Sequence, residues 1–232
     1  MELLQNLTSK KNYCETIETS TYLQRINEFA QSKVYQNINN LFIDRFDPTC
    51  NIVDEKDKSV YMKQRLVEIA TDIDEKKETT YDKFNYDKKM KSSLIQNGLQ
   101  TTNNLSSVLY LSDLYKVTTV VYIESKQNYV ETSQKDREKL HILYKDGVFM
   151  VLDTPLQNFT MGDCKDLGDC LVMNVKSLSV YNTHLGAIGK YKAPELIEIA
   201  KEIQLPLEVN GKKKVKKQLY DEINLYYLNN PV

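Results

Sequence analysis

The densest charged motif in the sequence is a run of lysines near the carboxyl end. Five of the six residues at 212–217 are lysines, namely Lys212, Lys213, Lys214, Lys216 and Lys217. Ammonium groups at this density can bind the phosphates of a nucleic acid or the carboxylates of an acidic protein surface. Lysines at the start of a helix also oppose the helix dipole, so a nearby anion would relieve that cost. These five lysines are therefore the candidate site for a phosphate or an acidic partner.

The residue types that most often carry catalysis or bind metals are few and scattered. The cysteines and histidines are Cys14, Cys50, Cys164, Cys170, His141 and His184. The Cys164 to Cys170 spacing does not match a zinc knuckle, and neither histidine completes a Cys/His ligand set. No motif pairs a nucleophile with a base. We predict a non-enzymatic protein with no catalytic, cofactor-binding or metal-binding residues.

The region around the last two cysteines contains three aspartates, Asp163, Asp166 and Asp169. They lack the alternating spacing and the closing glutamate of an EF-hand loop, so we interpret the region as a surface loop. Reduced thiols are expected in a chain of this cysteine content, and a bridge between Cys164 and Cys170 stays open as an alternative.

The overall composition is that of a globular chain. The 232 residues include 31 lysines and arginines against 32 aspartates and glutamates, which leaves a net charge of −1 and no global polycation. No segment is apolar enough to span a bilayer and the amino terminus lacks a signal-peptide pattern, so we predict no membrane insertion. Only four of the basic residues are arginines. This bias indicates an AT-rich gene.

Residues 1–100 form a polar region with helical periodicity. One apolar stripe lies between Thr21 and Tyr35, and a second predicts a helix that begins near Ser59. The stretch between Asp74 and Lys91 alternates charges with aromatic residues, which fits a solvated helix or a loop that orders on a partner. The two stripes consist of Leu23, Ile26, Phe29, Ala30 and Val34, and of Met62, Leu66, Ile69, Ala70 and Ile73.

Residues 101–189 predict a helix followed by an antiparallel sheet. A short buried helix is expected at residues 105–115. Asp146-Gly147 between apolar runs is a strong hairpin signal, and His141 fits a cross-strand neighbour better than a base. Predicted strands are 117–123, 128–132, 140–144 and 148–152, with a further strand-like run at 170–175.

Residues 190–232 predict a helix, an extended connector and a second helix. Pro194 lies in the first turn of the first helix, Leu205-Pro206 ends it, and Asn210-Gly211 forms a turn before the lysines. The apolar faces consist of Leu196, Ile199, Ala200 and Ile203, and of Val215, Leu219, Ile223 and Tyr226 or Tyr227. Together the three regions predict an α+β protein.

This carboxyl-terminal region resembles the helix–extended–helix modules of the SAP and Rho amino-terminal type. The residues that carry the resemblance are the Leu196/Ala200/Ile203 face, the Leu205-Pro206 break, Gly211 and the lysines before Leu219 and Ile223. The connector is about two residues longer than a SAP motif has. The resemblance implies that the lysines at 212–217 face phosphates.

The combination of elements also resembles proteins of the nucleocytoplasmic large DNA viruses. The matching stretches are residues 105–115, the hairpins after them, and residues 211–223. The resemblance implies a non-enzymatic virion structural protein, either a minor capsid protein or a capsid-associated assembly component. Its partners would be other virion proteins, the major capsid protein above all, and it would reside in the virion and, during assembly, in the host cytoplasm. The alternative is a nucleic-acid-binding protein that contacts DNA through the lysines.

Overall fold

A computed structural model of the protein describes residues 33–75 and 80–230. The chain divides into the units Met1–Val34 and Tyr35–Val232, and nearly all of the described residues belong to the second. The helix predicted between Thr21 and Tyr35 lies outside the described residues except at its end. There the prediction is wrong, because Val34–Tyr35 form a short strand, β1.

Helices precede the central strands of the sheet, as predicted. The apolar stripe predicted for the helix near Ser59 is confirmed on α2 (Lys58–Glu75), since all five of its residues are at most 8% exposed. Helix α5 (Leu105–Leu114) is buried on every side, and its buried serines each have a hydrogen-bond partner. The helices are α1 (Ile38–Phe46), α2 (Lys58–Glu75), α3 (Thr80–Lys83), α4 (Ser92–Gln100) and α5 (Leu105–Leu114).

The aromatic residues that follow α2 are half-buried and pack against the core. Phe84 packs at 5.7 Å from the Tyr86 ring and 5.8 Å from the Tyr110 ring, and Met90 is fully buried. The interpretation of this stretch as a solvated face is therefore wrong for these side chains. The alternating charges of this stretch suggested a solvated face, whereas its aromatic side chains hold the segment against α5.

The sheet contains the two predicted antiparallel hairpins. Strand β2 (Val117–Ile123) pairs with β3 (Asn128–Glu131), and β4 (Glu138–Lys145) pairs with β5 (Val148–Leu152) around Asp146-Gly147. All seven residues of β2 are buried, as its β-branched composition predicts.

The prediction of one antiparallel sheet is nevertheless wrong, because the two hairpins join through a parallel pairing of β2 with β4. Val117 lies opposite Glu138, and Ile123 lies opposite Tyr144. The connection after β3 returns the chain to the start of β2, so β4 enters on the free edge of β2 in the same direction. The mixed sheet has the order β1-β5-β4-β2-β3-β6, with β6 at Thr160–Met161.

The irregular region after β5 contains less strand than predicted. Residues 170–175 form only an isolated bridge, between Asn104 and Val172. Cys164–Asp169 form a 3-10 helix whose cap is built by Asp163 and Asp166. Asp166 and Asp169 bind the Lys126 ammonium at 3.2 and 3.0 Å, so these carboxylates hold the loop to the sheet.

The carboxyl-terminal region has its own small apolar core beside a two-stranded hairpin. Helix α6 (Ala193–Glu202) packs on α7 (Lys216–Asn229). The extended connector between them pairs as β7 (Glu208–Val209) and β8 (Lys212–Lys213). Asn210 and Gly211 have φ of 51° and 72°, the conformation that an Asn-Gly hairpin turn requires. The buried residues of this core are Leu185, Leu196, Ala200, Leu219 and Ile223.

Within the described residues, no helix has the length and apolar character needed to cross a bilayer.

Candidate functional site

The predicted lysines occupy the connector hairpin and the first turn of α7. Lys212 and Lys213 form β8 and are exposed, and Lys216 and Lys217 begin the helix. Lys214 is different: its ammonium binds the Glu222 carboxylate, and its side chain is only 4% exposed. One of the five lysines is therefore already paired with a carboxylate of the same chain.

The start of α7 is capped without using the lysines. The backbone N–H of Val215 donates to Gln218 Oε1 at 2.9 Å. In the described part of the chain, none of Lys212, Lys213, Lys216 and Lys217 forms an ion pair. Their charges are available to a partner.

Apolar side chains are exposed next to these charges. Val209, which lies opposite Lys212 in the hairpin, is 48% exposed, and Val215 is 61% exposed. We call residues 208–217 the basic segment. Its surface mixes ammonium groups with solvent-exposed valines.

A second constellation centres on Asp113 near the end of α5. Its side chain is fully buried, and Oδ1 accepts from Lys135 Nζ at 2.8 Å and from Arg137 Nη1 at 2.7 Å. Oδ2 accepts from the hydroxyls of Tyr86 and Tyr181. One carboxylate therefore organises four side chains, which we call the Asp113 cluster.

The aromatic members of the Asp113 cluster contact one another and the lysine. The rings of Tyr86 and Tyr181 stack at 5.5 Å, and Lys135 Nζ lies 3.8 Å from the Tyr181 ring centroid. Burial, reinforced by the Asp113 charge, raises the pKa of both tyrosines, so both hydroxyls stay protonated and donate. Burial lowers the pKa of Lys135, and the Asp113 charge opposes that shift.

The members of the Asp113 cluster come from separate parts of the chain. Lys135 and Arg137 lie in the connection between β3 and β4, Tyr86 follows α3, and Tyr181 lies in the irregular region. A bridge between Tyr86 and Tyr181 brings the last two together. No sequence spacing could have revealed this set. The available signal was a single charged residue on a helix predicted to be buried, since a buried charge needs partners.

A cleft of about 480 Å³ opens above the Asp113 cluster. Lys135, Arg137 and Tyr181 belong to its lining, and α7 supplies the opposite wall. On that wall Tyr227 stacks on His184 with the ring centroids 3.6 Å apart. The remaining lining residues are Lys83, Phe84, Asn85, Asp136, Asn182, Asn224, Leu228 and Asn229.

The structure does not bring the described thiols and imidazoles together in the Asp113 cluster. His141 lies on β4, where Nδ1 is 3.1 Å from the Tyr122 hydroxyl, as expected of a cross-strand neighbour. Cys164 and Cys170 are thiols, and burial raises the pKa of Cys170 to about 12, which suppresses its thiolate. Cys14 lies outside the described residues. Within them, no group of His, Cys, Asp and Glu side chains is arranged to hold a metal ion.

Comparisons of this chain with protein-family models, with curated proteins and with solved structures find no match.

Proposed function

We propose that this protein is a non-enzymatic structural component of the virion of a large DNA virus, either a minor capsid protein or a capsid-associated assembly protein. It binds an acidic surface of another virion protein, for which the major capsid protein is the first candidate. The observation that carries this proposal is the basic segment, where four lysines that form no ion pair with any described residue stand beside exposed valines.

The mixture of charge and apolar surface favours a protein partner. Protein interfaces combine apolar contacts with charge complementarity, and lysines steer association with an acidic surface. The phosphates of a DNA duplex would bind the ammonium groups but would not bury Val209 and Val215, which would stay exposed. The ionisable side chains of the Asp113 cluster are hydrogen-bonded to one another.

Nucleic-acid binding through the same lysines is the second candidate. Four ammonium groups within six residues can neutralise several phosphates, and each contact adds about −0.9 to the slope of log affinity against log salt. The two candidates differ in what the lysines face and can be separated by experiment.

The test replaces Lys212, Lys213, Lys216 and Lys217 together by glutamine and leaves Lys214 to hold Glu222. A matched control replaces four exposed lysines elsewhere, which removes the same charge. These are Lys63, Lys88, Lys165 and Lys176. Both variants are measured for incorporation into particles, and for duplex DNA binding between about 50 and 200 mM salt.

We expect the basic-segment variant to lose incorporation at least about tenfold, while the control variant is incorporated like the parent chain. DNA binding should be weak in all three proteins. Tight, salt-dependent DNA binding that disappears with the four lysines, with incorporation intact, would establish the nucleic-acid alternative.

A further inference from the structure

The Asp113 cluster carries an excess of positive charge. Lys135 and Arg137 both bind Oδ1 of the single Asp113 carboxylate, while neutral tyrosine hydroxyls occupy Oδ2. Two cations against one anion leave a net charge of +1 in a site that is largely shielded from water. A partly buried charge without a counterion is costly, and a bound anion would offset that cost.

Both cations are accessible from the cleft. Arg137 uses Nη1 to bind Asp113 and the Ser112 carbonyl, and its other guanidinium nitrogens form no hydrogen bond with any described residue. The side chain of Arg137 is 19% exposed and that of Lys135 is 11% exposed. The free edge of a guanidinium suits the paired oxygens of a phosphate.

The other charged residues of the lining leave the net charge of the cleft positive. Exposed Lys83 adds a cation to the lining and exposed Asp136 adds an anion. Together with Asp113, the described charges at the cleft therefore sum to +1, since three cations face two carboxylates. Asn182 donates to Asn85 Oδ1 at 2.9 Å, which orients the Asn85 amide and leaves its nitrogen as a further donor.

The dimensions and walls of the cleft fit a small molecule. A volume of about 480 Å³ lies in the range of small-ligand sites. Phe84, Tyr181 and Tyr227 line it with aromatic surface. We propose that this cleft binds a small molecule that carries a phosphate group, with the phosphate on Arg137, Lys135 and Lys83. This site is independent of the basic segment.

The experiment titrates the full chain, by calorimetry, with inorganic phosphate, ribose 5-phosphate, adenosine 5′-monophosphate and adenosine. Inorganic phosphate tests the anion site alone, and the two esters show whether the aromatic walls contribute. The variants are Arg137→Gln, which leaves Lys135 and Asp113 as a neutral pair, and Lys83→Gln, which removes an exposed charge. The matched control is Lys139→Gln, which removes the same charge from a neighbouring residue that binds Glu131 outside the cleft.

We expect saturable binding of at least one phosphate-bearing probe. Arg137→Gln should weaken it about tenfold or more and Lys83→Gln about threefold, while Lys139→Gln leaves it unchanged. Three results would overturn the proposal: no saturable binding of any probe up to about 10 mM, equal binding of adenosine and its monophosphate, or equal loss in Lys139→Gln and the two cleft variants. If Arg137→Gln unfolds, the comparison of Lys83→Gln with Lys139→Gln decides the matter.

Discussion

At the scale of single residues, two tyrosine hydroxyls show how a hydrogen-bond partner decides whether a buried polar group stabilises or destabilises the fold. The Tyr86 hydroxyl donates to Asp113, whereas the buried Tyr115 hydroxyl has no hydrogen-bond partner among the described residues. The Tyr115 ring itself is well used, since it stacks on Phe46 at 5.2 Å. A buried polar group without a partner lowers stability, while a charge-assisted hydrogen bond raises it.

We therefore expect opposite effects from removing the two hydroxyls. Tyr86→Phe should lower the free energy of unfolding by about 1–3 kcal/mol, because it leaves Asp113 with one donor fewer. Tyr115→Phe should leave it unchanged or raise it by up to about 1 kcal/mol. Urea denaturation of the two single variants measures the difference. Equal destabilisation by both changes would contradict the assignment of a partner to Tyr86 alone.

The buried tyrosines also predict how stability depends on pH. Burial raises the pKa of Tyr110 and of Tyr115 to about 12, from 10.0. Since the folded chain holds these protons more tightly, their contribution to stability is fully present below pH 10 and is lost as the pH rises towards 12. The free energy of unfolding should fall by about 1.4 kcal/mol per pH unit for each such tyrosine.

Urea denaturation at several pH values between about 9 and 11 tests this dependence. Tyrosinate absorbance should appear together with unfolding. Tyr115→Phe serves as the control, because it should flatten the slope. Stability that stays constant over this range would show that these tyrosines ionise equally in both states.

The Asp113 cluster marks the limit of prediction at this scale. The lysine run could be found because its members are adjacent in the sequence. The Asp113 cluster could not, because Tyr86, Lys135 and Tyr181 come from three separate segments. Only the fold brings them to one carboxylate.

At the scale of elements, local signals were reliable and the pairing between distant elements was not. The hairpin at Asp146-Gly147 follows from its turn residues and from alternation on either side. The parallel contact of β2 with β4 has no such signature. Two buried strands are both apolar whether they pair in parallel or antiparallel, so composition does not reveal their direction. The connector between α6 and α7 was likewise predicted only as extended, and in the structure its two halves pair as β7 and β8.

The contact between α4 and α5 depends on a glycine. A Cβ built on Gly98 would lie 2.7 Å from Ser106 Oγ and 3.2 Å from Ser107 Cβ. The Gly98 carbonyl also accepts from Asn39 Nδ2 at 2.9 Å, so α1 is fixed at the same place. Three helices approach one another here because the side chain is missing.

We expect Gly98→Ala to lower the free energy of unfolding by about 1–3 kcal/mol, because the added methyl group forces α4 and α5 apart. The matched control is Gly189→Ala, where an added Cβ meets no atom within 4 Å. Thermal unfolding of both variants provides the measurement. A Gly98→Ala protein as stable as the control would mean that the helices can separate at little cost.

At the scale of the whole molecule, α7 belongs to two structures at once. It supplies part of the small carboxyl-terminal core, and two of its asparagines accept hydrogen bonds from backbone groups outside the two helices α6 and α7. Asn224 Oδ1 accepts from the Leu185 N–H at 2.8 Å, and Asn229 Oδ1 accepts from the Asp136 N–H at 2.7 Å. The second contact joins the helix to the segment that carries Lys135 and Arg137.

Replacing Asn229 by alanine should therefore loosen that segment. We expect hydrogen exchange at the Asp136 amide to accelerate at least about threefold, as a lost hydrogen bond of about 1 kcal/mol implies. Asn230→Ala is the control, because the Asn230 side-chain amide donates to the Tyr226 carbonyl of α7 and forms no hydrogen bond with any other described residue. Acceleration of the same size in both variants would refute the docking role of Asn229.

The continuity of the central strands has a consequence for the order of folding. Strands β2, β3, β4 and β5 follow one another between residues 117 and 152, and each pairs with another member of this stretch. When two residues are near each other in the sequence, their contact closes only a small loop. Such contacts cost little chain entropy and form rapidly. Tyr35, by contrast, reaches the outer edge beside β5 from far earlier in the chain. We expect the four central strands to assemble first and to form the template on which the flanking helices condense, so that substitutions in β2 and β4 slow folding while substitutions in α7 mainly speed unfolding.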